Sequence, residues 1–333
     1  MSTNDKSTPE AIAPIDEGMF VDIHGLEQWV TIRGNDRRNP VLLIVHGTGL
    51  ALSAMAPFFA PWEKDFTLVQ WDQPGAGATY TRNGAAGMAA VTTDAIVGAG
   101  IGVTRFVGRH LGAHKVVILA LSGGTIIGLQ MVKARPELFA AYVGSGQVVD
   151  WARQEAICYQ MILQRARAAA DTGAVRELEQ LGPPPYRKVA SVAVKAKYAN
   201  AMTPAEQAEL PALLAAMNAP GTEAAYRAKG QPPSDARAVS MATFEKLMGE
   251  FAVFDARQLG RKFDVPMFFF QGAQDAHLPT AEVEKYYAEI DAPQKMIALL
   301  PEAGHCAFFL REEFLRLLNL HVRPLAIRRG QTP

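Results

Sequence analysis

Cysteine is almost missing from this chain: Cys158 and Cys306 are the only two in 333 residues. They lie far apart and match no metal-ligand spacing, which excludes a disulfide framework and a cysteine-based zinc site. Both read as small core fillers, and a reducing cytoplasm is the expected setting. No apolar run reaches the ~18 residues that a membrane span needs. The opening "MSTNDKSTPEAIAP" has no apolar centre, so a secretory signal is not expected there. Net charge is absent as well, 33 Lys plus Arg against 33 Asp plus Glu, with no basic stripe to attract nucleic acid.

What is present suits a globular enzyme: 49% hydrophobic residues, and length for one large domain or two modest ones. After a segment expected to be disordered (1–18), "MFVDIHGLEQWVTIRG" reads as two strands around His24-Gly25. "PVLLIVHG" (40–47), "FTLVQWD" (66–72), "KVVILAL" (115–121) and "LFAAYVGSG" (138–146) are apolar runs typical of strands buried on both faces. Between them, Ile96, Gly100, Val103, Val107 and Leu111 recur at helical spacing, with Thr93 as the expected cap. Alternating strands and helices imply a mostly parallel sheet with right-handed crossovers.

The alternation stops near Asp150. Residues 150–259 are rich in Ala, Glu, Arg and Met, with proline-marked turns, and predict a helical cap inserted into the sheet domain. Its methionines (Met161, Met202, Met217, Met241, Met248) are adaptable side chains that fill irregular apolar space. The sheet pattern resumes with "VPMFFFQG" (265–272), a helix at 280–290, "QKMIALLP" (294–301) and a last helix from about 307 to 320. The organisation is therefore an α/β core, 19–149 and 260–325, around a cap at 150–259.

In "VVILALSGGTIIGLQMV" a serine sits where a buried strand turns into a helix. A serine on such a turn projects its Oγ above the sheet, and only small residues fit two positions away on either side. Ala120 and Gly124 meet that need. Ser53 is a weaker counterpart, since Met55 is too bulky for the turn and no strand leads directly into it. A serine hydroxyl becomes a nucleophile only with a base to take its proton and a third group to orient that base. "PEAGHCAFF" offers His305 after the last strand, and "QGAQDAHLP" offers Asp275 just past an earlier one. The order Ser122, Asp275, His305 is the one that belongs to this sheet topology. His277 remains an alternative base and Asp150 an alternative acid. The developing oxyanion would take the backbone N–H groups of Gly123 and Thr48, and His46 reads as structural. This chemistry needs neither cofactor nor metal ion.

With these residues in view, the chain resembles the α/β-hydrolase superfamily, and within it the proline iminopeptidase branch. "VHGTG", "LVQWDQPGAGAT", "LALSGGT", "GAQDAHLP" and "PEAGHCAFF" carry the resemblance, "WDQPGAGAT" being the most branch-specific. Two positions depart from the branch. His46-Gly47-Thr48-Gly49-Leu50 replaces its usual His-Gly-Gly-Pro-Gly, and Gly123 stands where a tryptophan usually follows the nucleophile. The resemblance implies a serine hydrolase that releases an N-terminal proline or similar residue from a small-molecule or short-peptide substrate. A carboxylesterase or lactonase is the alternative, and a pocket protein without turnover a remote one. It also implies cap glutamates that hold the substrate's free amino group, with Glu155 and Glu245 leading and Glu206 and Glu250 as further candidates.

Overall fold

The computed structural model describes residues 13–47, 51–89, 91–217 and 235–330. Its frame is one sheet of eight strands: β1 (Ile15–Ile23), β2 (Leu26–Gly34), β3 (Val41–Val45), β4 (Thr67–Trp71), β5 (Val116–Leu121), β6 (Phe139–Ser145), β7 (Met267–Gly272) and β8 (Lys295–Leu300). Their order across the sheet is β1-β2-β4-β3-β5-β6-β7-β8. β1 pairs β2, and β2 pairs β4, in antiparallel fashion. Every pairing from β4 to β8 is parallel. This is the mostly parallel α/β architecture that the alternating runs predict.

The central strands are apolar on both faces because both faces are covered. Leu43, Val45, Ile118, Ala120 and Phe269 point into one layer, and their neighbours Leu42, Ile44, Val117, Leu119 and Phe270 into the other. The first layer holds α1 (Thr93–Leu111), α2 (Gly124–Ala134) and the later helix Thr280–Glu289, through Ile96, Val103, Ile127 and Tyr286. The second is closed by Phe58, Phe59, Trp62 and Phe314.

Three details differ from the sequence reading. β1 starts at Ile15, inside the segment expected to be disordered, because Ile15 is buried opposite Gly34 in the β1–β2 register. The cap of α1 is Thr92 rather than Thr93: the Thr92 hydroxyl accepts from Ala95 N–H at 3.2 Å. The reading also missed a kinked helix after the "WDQPGAG" turn, Gly77–Ala89.

Between β6 and β7 the described residues form the helices α3 (Trp151–Ala168), α4 (Thr172–Leu181), α5 (Val189–Ala199), α6 (Pro204–Met217) and α7 (Ala236–Phe251). Cys158, Ile162, Leu178 and Ala199 form an apolar cluster of this segment's own, joined by Ala276 from the loop after β7. Where the segment leaves and rejoins the sheet domain, its two ends are stitched together. Trp151 N–H donates to Phe254 O at 3.1 Å, and Ala256 N–H to Val149 O at 2.7 Å.

The turn from β5 into α2 fixes the position of Ser122. Its φ is +53°, a left-handed conformation that a residue with a Cβ adopts only under constraint. Ser122 N–H donates to Ser145 O at 2.9 Å, and Thr125 N–H returns to Ser122 O at 2.8 Å. Helix and strand can approach this closely because Gly124 has no side chain. A Cβ there would lie 2.2 Å from Val45 O and 2.6 Å from His46 O. Gly124→Ala should therefore push α2 off β3, lower stability by about 1–3 kcal/mol, as overpacking does, and shift the denaturant midpoint downward. An unchanged midpoint would show that the turn is not held by this contact.

Candidate active site

Three loops at the carboxyl ends of parallel strands converge, the place where open α/β sheets bind ligands. They bring together Ser122, His305 and Asp275. His305 Nε2 lies 2.9 Å from Ser122 Oγ, and His305 Nδ1 lies 3.0 Å from Asp275 Oδ2. Asp275 is 1% exposed, yet its charge is well met. Leu278 N–H donates to Oδ1 at 2.9 Å, and Gln271 Nε2 donates to Oδ2 at 2.9 Å. With Oδ2 facing the imidazole, the arrangement suits an Nδ1–H that donates to Asp275 and a bare Nε2 that accepts a hydrogen bond from the Ser122 hydroxyl.

The alternative partners are otherwise engaged. Asp150 caps α3, accepting from Arg153 N–H at 3.0 Å. Ser53 donates its hydroxyl proton to Asp72 Oδ1 at 2.5 Å. His277 lies beside His305, ring centroids 4.6 Å apart and planes tilted by 59°, and does not take its place. His46 is buried and bonded to Trp71 O at 3.1 Å, a structural position. Gly123 N heads α2 directly after the serine, and a Cβ on Gly47 would stand 3.5 Å from it, so the loop after β3 borders this N–H. Thr48, the other expected oxyanion donor, lies outside the described residues.

A cavity of about 290 Å³ opens on Ser122 and His305. Its walls are mainly apolar, with Leu121, Trp151, Val192, Phe244, Phe251 and Phe308 prominent; Ser145, Asn200 and His277 add polar groups. Among the described residues no carboxylate lines it. Glu245 is exposed, and Glu250 accepts from Thr93 N–H at 2.8 Å, away from the cavity. Glu155 is buried and ion-paired with Lys195, whose side chain is fully buried. Glu206 is buried and accepts from Thr203 N–H and Gly304 N–H, both at 2.9 Å. A side cavity of about 190 Å³ is lined by Glu155 and Tyr186 and shares Trp151 with the main one.

Both thiols are held protonated by burial, Cys158 at about 12 and Cys306 at about 12. Cys158 is a core residue, whereas Cys306 is half-buried and forms part of the cavity wall. No helix among the described residues is long and apolar enough to cross a membrane.

A parallel sheet with a serine at a left-handed strand–helix turn, and a histidine and an aspartate in loops beyond it, defines the α/β-hydrolase class. The chain belongs to the serine aminopeptidase, S33, family, which it matches over residues 36–312. It is similar to a probable aminopeptidase, YbaC, of Bacillus subtilis (strain 168), 25% identical over 91% of this chain and 95% of that protein. Its fold is similar to that of a proline iminopeptidase-related protein from Thermus thermophilus, with TM-score 0.62 and 18% identity over 95% of this chain and 99% of that one. The esterase RhEst1 from Rhodococcus sp. ECU1013 shares the fold as well, with TM-score 0.58 and 13% identity over 94% and 100% of the two chains.

His277 gives the site a pH signature. Burial, then the Lys195 ammonium, then His305 hold its pKa well below the ordinary histidine value of 6.5, and its Nδ1 is buried without a hydrogen bond. The unfolded chain protonates this ring at about 6.5, so below that pH the unfolded state binds the extra proton. The stability owed to neutral His277 is complete above about pH 6.5 and is lost as pH falls. Between pH 7 and 5, His277→Asn should flatten the fall of the unfolding free energy, read from denaturant titrations, by up to about 1.4 kcal/mol per pH unit, one proton's worth. An identical slope in the variant would show that His277 is already charged in the folded state.

Proposed function

We propose that this protein is a serine hydrolase that cleaves an ester or amide of a compact, uncharged acyl group through an acyl-enzyme. The observation that carries this reading is the continuous relay Ser122–His305–Asp275, with both hydrogen bonds near 3 Å. Ser122 Oγ attacks the substrate carbonyl carbon while His305 Nε2 takes the hydroxyl proton. The carbonyl π electrons move to oxygen, which Gly123 N–H stabilises together with the expected Thr48 N–H. Collapse of the tetrahedral intermediate breaks the bond to the leaving group, which receives the proton from His305. Water then repeats the sequence on the acyl-enzyme, and Asp275 keeps the imidazole in its working tautomer throughout.

Ser122→Ala should lower kcat by on the order of 10⁴-fold, because triad members act as a unit, and should abolish labelling by a fluorophosphonate. Asp275→Asn should reduce kcat comparably by reversing the tautomer. Folded wild-type protein whose Ser122 resists the probe would instead be a pocket protein without turnover.

The restriction to an uncharged acyl group follows from the walls. A substrate ammonium buried there would need an anion, since an unpaired buried charge is strongly disfavoured. Among the described residues, the nearest cap carboxylate by cavity continuity, Glu155, is already neutralised by Lys195. A second reading, an aminopeptidase acting on short peptides, draws support from the family, from the curated relative and from that same Glu155 at the side cavity. N-acetylated aminoacyl-naphthylamides and short nitrophenyl esters should be cleaved with kcat/KM at least equal to that of the free-amino compounds. A tenfold or greater preference for the free amine would install the aminopeptidase reading.

A further inference from the structure

The loop that carries His305 is gripped from two sides. On one side stands the loop of its acid partner. Gln274 N–H donates to Ala303 O at 2.9 Å, and Gln274 Nε2 donates to Pro301 O at 2.9 Å. The fit is close enough that a Cβ on Gly272 would stand 1.9 Å from Gly304 O. On the other side stands the first turn of α6, part of the helical segment between β6 and β7. Thr203 Oγ1 donates to Glu302 O at 2.7 Å and accepts from Glu206 N–H at 3.2 Å. Glu206 Oε2 accepts from Thr203 N–H, which closes a capping box, while Oε1 reaches out to Gly304 N–H, each at 2.9 Å. Leu213, farther along α6, is buried in the same apolar cluster as Ala307 and Phe309 just beyond His305.

Glu206 is only 1% exposed. A carboxylate that deep is stable only when hydrogen-bonded, and here its partners are two backbone N–H groups. One of them belongs to the residue immediately before the catalytic base. We propose that Glu206 is a positioning residue for His305, so that the helical segment supplies one wall of the histidine's socket as well as covering the cavity. This inference rests on the serine hydrolase reading above. Its physical content is simple: with the Gly304 amide tethered, the His305 backbone cannot drift away from Ser122, and a displacement of about 1 Å at a reacting group can cost on the order of 10²-fold in rate. It also gives Glu206 a task other than substrate binding, since both oxygens are spent on the protein itself.

The test is Glu206→Gln, nearly isosteric, which sets an amide N–H₂ against one of the two N–H donors. Ser122 labelling by a fluorophosphonate and kcat for a short ester, both normalised to folded protein, should fall by about 10–100-fold, with KM within about threefold of wild type. The downfield proton resonance of the His305–Asp275 hydrogen bond should broaden or move. Gln207→Ala, one position along the same turn and exposed, should leave labelling, kcat and resonance unchanged. If Glu206→Gln does not fold, Glu206→Asp, which retains the charge and shortens the reach by one methylene, is read in the same way. Wild-type labelling and an unmoved resonance in the folded variant would overturn the positioning role. Failure of the hydrolase reading would show differently, as wild-type protein whose Ser122 takes no label.

Discussion

Everything at this site hangs on one residue held in an unfavourable conformation. A left-handed serine costs on the order of 1–3 kcal/mol, a strain that persists only where the surroundings over-determine it. Here they do. The Ser122 amide is tied to β6, its carbonyl receives both the amide and the hydroxyl of Thr125, and the residue two places on lies against the carbonyls of β3. Three neighbouring parallel strands thus meet at a single turn, and their twist and spacing decide where the hydroxyl points. The strain is useful because the hydroxyl stands clear of the backbone with a helix N-terminus directly behind it.

Around that turn the charges are organised by burial more than by number. The Asp275 carboxyl sits in the interior with both oxygens hydrogen-bonded, and His277 is held neutral beside the His305 imidazole. The Lys195–Glu155 pair lies in the helical segment, its ammonium close enough to His277 to help hold that ring neutral. A buried pair of this kind adds little net stability, because desolvation of both ions offsets their attraction. Its effect is felt locally: it places a positive charge near His277 without offering a free ion to the cavity.

Much of this was legible in the residues. The runs around Val45, Ala120 and Phe270 are apolar at every position because both faces of their strands are covered, and that pattern survives in any sequence of this architecture. Ser122 and Asp275 stood out as candidates because each follows such a run, and His305 because it follows the last strand, in the order the topology demands. Other features were not legible, for physical reasons. Whether Thr92 or Thr93 caps α1 depends on a dihedral angle, not on composition. Glu155, Glu206, Glu245 and Glu250 look alike as letters on helices; one meets a lysine, one a loop amide, one solvent and one the amide of Thr93. Thr203-Pro204-Ala205-Glu206 has the spacing of a capping box, a signal that the sequence reading did not pick up. Its second bond, to Gly304, spans 98 residues and exists only because the sheet brings the last loop under α6.

The antiparallel stitch where Val149 and Trp151 meet Phe254 and Ala256 has an evolutionary side. Because the helical segment leaves and returns through one clasp, the strand order of the sheet is closed beneath it, and insertions with adjacent ends are the ones that chains tolerate. A lineage could exchange the intervening hundred or so residues for another set of helices, and with them the shape of the cavity, without rebuilding the turn that presents the serine. The exchange would not be entirely free. Any incoming segment inherits the loop before His305, and with it a backbone amide at Gly304 that must find a new acceptor.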